Sequence, residues 1–414
     1  MAKYNYDKSV LKGLGVGAFL GEVKLREQHI AEAPANEIKT EYQANIVAKS
    51  LHPHYQMAKV AEVTELKDAK LFKLVPDAEK GTDKLAYFRA GQYISVIIQF
   101  EADENGISPL STKPYSLCSS PKSALEVDDN HYCICVKKSA KGYASEYILN
   151  NWKEGSEVVI SGPLGHFYFQ ELRDSDNVVA TAGGSGITPF LSMAKAIADG
   201  IEKFNLTILY GSKTEEDILF KDELDEITAK SNGKVKVVHV LSDEKKEGYE
   251  EGFITAELIK KYGSAMGKDY SLYVCGPKQM YKFMHGEVAK LGLSERRARF
   301  EVAGEYGDPT ASPEYKGNPE AEYKLVVLAR GESKTITCKG NETIMEAVQK
   351  AGIVITSDCR SGECGWCHSR LICGDVFVPS EADGRRMADK KFGWIHPCVT
   401  YPLSDVEIEV FPVF

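Results

Sequence analysis

Asp358-Cys359-Arg360-Ser361-Gly362-Glu363-Cys364-Gly365-Trp366-Cys367 decides how the last quarter of this chain must fold, and Cys398 adds a fourth thiol after a gap of thirty residues. C-x4-C-x2-C with one distant cysteine is a spacing that holds a [2Fe–2S] cluster. A tight loop converges three thiolates on a small inorganic core, and a second element delivers the fourth. Gly362 and Gly365 allow positive φ there, and with it a close approach of backbone N–H groups to the sulfurs. Zinc and two disulfides are the other chemistries open to four cysteines. Zinc favours paired C-x2-C knuckles, which the four-residue gap does not supply, and disulfides are rare in a cytoplasmic setting.

Outward from this loop, Tyr323–Leu328 and Ser333–Thr337 read as strands, with a turn at Gly340-Asn341. Thr343–Val348 reads as a short helix ending at Gly352, and Glu407–Phe411 as a closing strand. Cys118, Cys133, Cys135 and Cys338 lie in strand-like runs and behave as small buried hydrophobes.

Further towards the N-terminus, Asn177–Ala182 is an apolar run that enters Gly183-Gly184-Ser185-Gly186-Ile187-Thr188-Pro189, and Phe190–Ala198 continues with helical period. Strand, glycine turn and helix start together make a phosphate site, because the free N–H groups of the helix point at an anion. The spacing is not G-x-G-x-x-G, so a purely structural turn stays open. Leu206–Gly211, Val235–Leu241 and Ser271–Cys275 then alternate as strands with helices over Asp222–Lys230, Ile254–Tyr262 and Lys278–Leu291. That alternation predicts a parallel, doubly wound sheet with ligands at the carboxyl ends of its strands.

Residues 57–172 change character. Lys59–Leu66, Lys70–Leu74, Tyr93–Phe100, Cys133–Lys137 and Val158–Ser161 are short strands between turns, with one helix starting near Ala144. With the strand that the phrase from Lys113 to Ser120 ends, these six predict an antiparallel barrel. Three phrases mark it: Phe88-Arg89-Ala90-Gly91-Gln92-Tyr93, Lys113-Pro114-Tyr115-Ser116-Leu117-Cys118-Ser119-Ser120 and Gly142-Tyr143-Ala144-Ser145.

Composition narrows the class. At 414 residues the chain is long enough for two to three domains. Its 51 basic against 60 acidic residues leave a net charge of −9, which argues against a nucleic-acid partner. No apolar run is long enough for a transmembrane segment. The Gly-rich stretch Leu11–Leu20 lacks a leader's cleavage pattern, so a cytoplasmic location is expected.

Barrel phrases, Gly-Gly-x-Gly-Ile-Thr-Pro loop and C-terminal cysteines, in this order, resemble the ferredoxin–NADP reductase superfamily, and within it the oxygenase-type reductases with a C-terminal plant-type [2Fe–2S] ferredoxin domain. The resemblance implies an antiparallel β-barrel flavin domain at 51–172, an α/β doubly wound pyridine-nucleotide domain at 173–303, a linker at 304–321 and an α+β β-grasp ferredoxin domain at 322–414. Residues 1–50 are an N-terminal extension outside it.

By the same resemblance Tyr115 packs on the flavin, Ser116 bonds near its reactive nitrogen, and Leu117 follows in the binding phrase. Lys113 stands where the family has arginine and keeps the charge for a flavin phosphate without the bidentate fork. Gly142, Ala144 and Ser145 open a helix towards the flavin phosphates. Gly183, Gly184, Gly186 and Thr188 match the pyridine-nucleotide loop, Ser212 and Lys213 stand near the adenosine ribose, and Cys275 and Gly276 flank the nicotinamide. Tyr115, Ser116 and Cys275 are thus the catalytic candidates. Glu301 lies near where relatives carry a glutamate by the flavin. Trp366 departs from the smaller residue usual in the cysteine loop and is placed to cover the cluster or join a docking face.

The cofactors expected are FAD rather than FMN, a [2Fe–2S] cluster in Cys359, Cys364, Cys367 and Cys398, and NADH or NADPH, with Glu215, Glu216 and Asp217 favouring NADH by repelling a 2′-phosphate. The chemistry expected is hydride from NAD(P)H to flavin, then single electrons through the cluster to a separate acceptor protein, such as an oxygenase. A self-contained NAD(P)H:flavin or ferric reductase and a non-catalytic iron–sulfur redox sensor are the alternatives.

Overall fold

The computed structural model describes residues 15–32, 42–51, 53–104, 106–138, 143–267, 269–302 and 307–411. The chain divides into a unit of residues 1–48 and a unit of residues 49–414. Helices α1 (Val16–Glu32) and α2 (Gln43–Leu51) carry exposed side chains. The N-terminal extension expected over 1–50 falls partly outside the described residues.

The larger unit opens with an antiparallel sheet of β1 (Gln56–Glu65), β2 (Ala69–Pro76), β3 (Tyr93–Gln99), β4 (Leu110–Ser116), β5 (Tyr132–Lys137) and β6 (Glu157–Leu164), in the order β4-β3-β6-β1-β2-β5. Alternate residues of β1 are buried from Gln56 to Val60, the period expected of a sheet with one face on a core. A bridge between Leu117 and Ile134 brings the β4 and β5 edges together and closes the barrel. Helix α3 (Tyr143–Asn151) packs its Ala144 and Ile148 into that core.

A parallel sheet follows, ordered β10-β9-β8-β7-β11-β12. Its strands are β7 (Asn177–Gly183), β8 (Asn205–Ser212), β9 (Val235–Leu241), β10 (Glu250–Glu251), β11 (Ser271–Gly276) and β12 (Ala298–Val302), with helices α4 (Thr188–Ala198), α5 (Lys221–Lys230), α6 (Ala256–Met266) and α7 (Lys278–Ala289) between them. β7 is covered on both faces and is buried from Val178 to Gly183, which is why it reads as a continuous apolar run rather than an alternating one.

The C-terminal sheet, ordered β14-β13-β19-β15-β17, pairs β13 (Glu322–Ala329), β14 (Glu332–Lys339), β15 (Ser369–Cys373), β17 (Trp394–Ile395) and β19 (Val406–Val410). β16 (Val376–Phe377) and β18 (Tyr401–Pro402) form a small second ladder. Helix α8 (Ile344–Lys350) starts with a capping box in which Thr343 and Glu346 satisfy each other's backbone N–H, and buries Ile344, Met345 and Val348. A short helix α9 (Met387–Lys391) precedes β17. The stretch expected to be a linker is not a bare tether where described. Pro309 and Ser312 are buried, and the Tyr315 hydroxyl donates to the Gly340 carbonyl at 3.0 Å.

Candidate functional site

One cleft of about 2700 Å³ is walled by all three sheets. Barrel, parallel sheet and cysteine loop each turn a carboxyl-end or loop segment into it. On the barrel wall, Lys113, Tyr115 and Ser116 line the cleft from β4, held by the pairing of β4 with Tyr93, Ile94 and Val96 of β3. Leu117 does not join them. It is fully buried in the barrel core, and its N–H donates to the Gln92 carbonyl at 3.0 Å. A leucine directly after the strand is drawn inward by apolar burial, so its side chain is withdrawn from a ligand. Ala144 and Ser145 reach the cleft from the first turn of α3. Gly142 lies outside the described residues. Gly91, in the phrase that opens β3, has φ +103° and a Cβ there would sit 2.1 Å from the Phe167 carbonyl oxygen, so only glycine fits.

On the opposite wall, Gly183, Gly184, Gly186 and Thr188 form the turn from β7 into α4. They serve two needs. A Cβ on Gly186 would meet the Cys275 carbonyl oxygen at 2.3 Å, and one on Gly183 the Met280 sulfur at 2.5 Å, so these two let the turn lie against β11 and the start of α7. Gly184 has φ +53° and only the Lys137 ammonium, at 3.9 Å, near its absent Cβ, so its open side faces the cleft. This is a cradle that a side chain would fill, and it fits a nucleotide phosphate chain. Ser212 and Lys213 line the cleft from the end of β8. Cys275 and Gly276 line it from the end of β11. Burial pushes the Cys275 thiol well above its ordinary value, so it sits there protonated. The parallel pairing of Cys275 with Glu301 sets the register of β12 and brings that carboxyl to the same wall. Burial first, then the charges of Glu363 and Cys359, push the Glu301 carboxyl up to about 8.

The third wall is the cysteine loop, from which Cys359, Arg360, Glu363 and Cys364 face the cleft. Its four thiols fall into two pairs. Cys367 and Cys398 sulfurs are 3.4 Å apart, and the Cys364 N–H donates to the Cys359 sulfur at 3.3 Å. The Ser361 N–H also donates to Cys359, at 3.4 Å. The Cys364 thiol first, and these N–H bonds with it, hold the Cys359 thiol below its ordinary value, towards the thiolate that ligates metal. Among the described residues no three His, Cys, Asp or Glu groups converge as a single ion's ligand set. Two pairs suit a binuclear [2Fe–2S] core, with two thiolates for each iron, better than one tetrahedral zinc. Gly362 and Gly365 have φ +84° and +75°, and a Cβ on Gly362 would sit 2.2 Å from the Ala382 carbonyl oxygen.

What positions this loop was not legible beforehand. Ser95 of β3 donates to the Asp358 carbonyl and Ser161 of β6 to its carboxylate, both at 2.8 Å. Arg360, almost fully buried at φ +55°, donates to the Gln349 amide oxygen at 2.6 Å, and the Gln349 amide donates to the Thr112 hydroxyl at 3.4 Å. Thr112 directly precedes Lys113, so a polar chain runs from the flavin phrase to the residue beside Cys359. Lone serines in a strand and a glutamine on a short helix carry no local signal of such a contact.

Comparison with known proteins agrees with this geometry. Residues 58–169 match the oxidoreductase FAD-binding domain, residues 181–286 the oxidoreductase NAD-binding domain, and residues 327–403 the 2Fe-2S iron-sulfur cluster binding domain. The ferredoxin reductase component of 3-ketosteroid-9-alpha-monooxygenase from Mycobacterium tuberculosis is 28% identical over 84% of this chain and 93% of its own length. The glycine betaine monooxygenase reductase subunit of Chromohalobacter salexigens is 26% identical, over 78% and 88%. Among solved structures, phthalate dioxygenase reductase, described as modular for electron transfer from pyridine nucleotides to [2Fe-2S], superposes with a TM-score of 0.58 at 25% identity, over 86% of this chain and 98% of that one.

Proposed function

As a member of the ferredoxin–NADP reductase superfamily with the domain order of its oxygenase-type reductases, this chain is, we propose, the NAD(P)H-oxidising component of a redox system whose acceptor is a separate protein, an oxygenase being the class its relatives' names carry. The observation that carries this reading is the single cleft lined at once by the Gly184 turn, the Tyr115 strand and the Cys359–Cys364 loop. FAD held there would supply the conversion between the hydride of NAD(P)H and the single electrons that a [2Fe–2S] cluster can carry.

The chain's own groups bind, orient and exclude water. The Gly184 turn and the start of α4 receive the pyridine-nucleotide phosphates, while Lys113, Ala144 and Ser145 receive those of the flavin. Tyr115 supplies an aromatic face, and Ser116 a hydroxyl, to the flavin ring. Cys275 and Gly276 form the wall behind the nicotinamide. Glu301 keeps its carboxyl protonated below about pH 8 and so presents a hydrogen-bond donor to the cleft at neutral pH. Cys359, Cys364, Cys367 and Cys398 hold the cluster. None of the ten cysteines is in a disulfide, which suits the reducing environment of the cytoplasm, where we place the protein. Among the described residues no helix is long and apolar enough to cross a membrane.

The test is a spectrum, a metal count and one variant. Holoprotein should hold one flavin, two irons and two labile sulfides, with FAD released by acid. Cys364→Ser should lose the iron and the cluster's visible absorption, keep NAD(P)H-driven ferricyanide reduction within about twofold, and lose protein-acceptor reduction by about a hundredfold or more. Full acceptor reduction by that variant would make the flavin the exit and replace this reading by a self-contained flavin reductase.

A further inference from the structure

Of the four clustered cysteines, Cys359, Cys367 and Cys398 are buried and Cys364 is exposed. Cys364 also opens onto a hollow of about 340 Å³ walled by Gly365, Trp366, His368, Trp394 and Phe411. The wall is a run of rings: Trp394 stacks on His368 with centroids 4.2 Å apart and touches Phe411 at 5.6 Å. Helix α9 is fastened beside it, with the Arg385 guanidinium on the Trp394 carbonyl at 3.2 Å and His368 on Asp389 at 3.2 Å. From α9 and its end, Met387 is 82% exposed and Phe392 64%.

The charges of this segment are sorted. Asp383 and Asp389 are turned inward, the first held by Arg385 and Lys390, the second by Arg386 and His368. Arg386 faces outward, with 85% of its side chain exposed, and the exposed Lys391 lies over the Phe392 ring at 5.8 Å. On a chain of net charge −9, the segment beside the hollow therefore offers Met387 and Phe392 among exposed Arg386, Lys390 and Lys391, while Glu363, next to Cys364, lines the cleft.

We propose that this face is where the electron acceptor docks, and that the acceptor is a separate protein with an acidic surface around an apolar side chain that enters the hollow. The inference rests on the reading that electrons leave by the cluster. Aromatic groups, Met and Arg around an apolar centre are the composition of a protein interface. A cationic rim steers an acidic partner in and suppresses a basic one. A second copy of this chain is the poorer occupant, because a two-fold contact would set the cationic rim against itself.

The test uses the full holoprotein with two haem proteins as probes: cytochrome b5, whose haem edge is ringed by carboxylates, and cytochrome c, whose edge is ringed by lysines. At low ionic strength kcat/KM should favour cytochrome b5 and fall as salt is added. Lys391→Glu and Met387→Glu should each lower the cytochrome b5 value about tenfold, with ferricyanide reduction and the cluster spectrum unchanged. Lys391→Arg should stay at the wild-type value, and Lys391→Glu should improve cytochrome c. Wild-type cytochrome b5 kinetics in both glutamate variants would overturn the docking face. So would a holoprotein dimer that either variant converts to monomer. Cytochrome b5 reduction that survives in Cys364→Ser would instead overturn the cluster as exit, which separates failure of the docking face from failure of the reading beneath it.

Discussion

The flavin barrel is joined to its two neighbours by different means. Towards the parallel sheet the joint is apolar: Ala90, Phe167 and Phe169 of the barrel end share one buried core with Val178, Phe190 and Tyr273. Phe167 lies 5.0 Å from the Tyr273 ring and 5.7 Å from that of Phe190. Towards the ferredoxin-like sheet each side keeps its own core, and hydrogen bonds cross between them from Ser95 and Ser161 to Asp358 and from Gln349 to Thr112. An apolar joint tolerates little displacement without opening a void, whereas a few hydrogen bonds fix orientation at a smaller cost if broken. The difference matches the two transfers. Hydride moves over contact distance and needs a rigid pair of walls; a single electron needs a set separation and tolerates more.

The comparison is broken hardest at the apolar joint. Phe167→Ala removes a ring from the shared core and is expected to cost about 3–5 kcal/mol of stability. Its thermal midpoint should fall, and NAD(P)H-driven ferricyanide reduction should fall with it, while the cluster's visible spectrum at low temperature is retained. A midpoint within a degree or two of wild type would show that the barrel and parallel sheet do not share a working core.

At the polar joint the double variant Ser95→Ala with Ser161→Ala should cost about 1–3 kcal/mol, from two hydrogen bonds to a buried group. Its signature is uncoupling rather than unfolding. Ferricyanide reduction at the flavin should stay near wild type, and transfer onward, read by stopped-flow bleaching of the cluster, should slow several-fold. Equal loss in both assays would mean that the two joints are not distinct.

Asp358 sharpens the same joint through pH. Burial is the chief reason its carboxyl is pushed from 3.8 up to about 6, against the Ser161 hydrogen bond that pulls it down. The folded chain therefore keeps a proton between about pH 4 and 6 that the unfolded chain has lost, so this group makes stability fall with rising pH across that window. Asp358→Asn keeps an acceptor for Ser161 and removes the charge. The variant should match wild type near pH 4, exceed it in thermal midpoint above pH 6, and leave the difference constant beyond about pH 7. A gap that widens on acidification would reverse the assignment.

The contrast also explains what the sequence disclosed. The strand of Asn177–Ala182, the glycine turn after it and the cysteine loop are local patterns, and the structure brings all three to one cleft. Strand ends moved by a few residues, as with Gln56–Glu65 against the expected Lys59–Leu66, because edges are set by pairing partners rather than by composition. Glu301 could be placed only once β11 and β12 were in register. Leu117 was read as part of a binding phrase, yet burial in the barrel took its side chain inward. The Arg360–Gln349–Thr112 chain spans more than two hundred residues of sequence, and nothing local in any of the three announces it.

The smallest effect concerns the coenzyme. The sequence reading leaned to NADH because relatives in this domain order use it, with Glu215, Glu216 and Asp217 set against a 2′-phosphate at Ser212 and Lys213. In the structure each has a cationic neighbour: Glu215 meets Lys246 and, at 3.7 Å, Lys221, while Glu216 and Asp217 lie 3.4 and 3.1 Å from Lys67. Lys246 and Tyr249 hold the Glu215 carboxyl down at about 2, so it is ionised but locally balanced. Lys213 faces the cleft beside Ser212, and among the described residues no carboxylate pairs with its ammonium. With the acidic run neutralised, repulsion of a 2′-phosphate is weak and the attraction of one exposed lysine is modest, about 1 kcal/mol or less. The expected outcome is a kcat/KM ratio between NADH and NADPH within about tenfold, which Lys213→Ala shifts towards NADH by about three- to fivefold without changing NADH kinetics. Lys67→Ala, which frees Glu216 and Asp217, should shift it the same way by a smaller factor. A ratio beyond a hundredfold, unmoved by Lys213→Ala, would place the discrimination outside this loop.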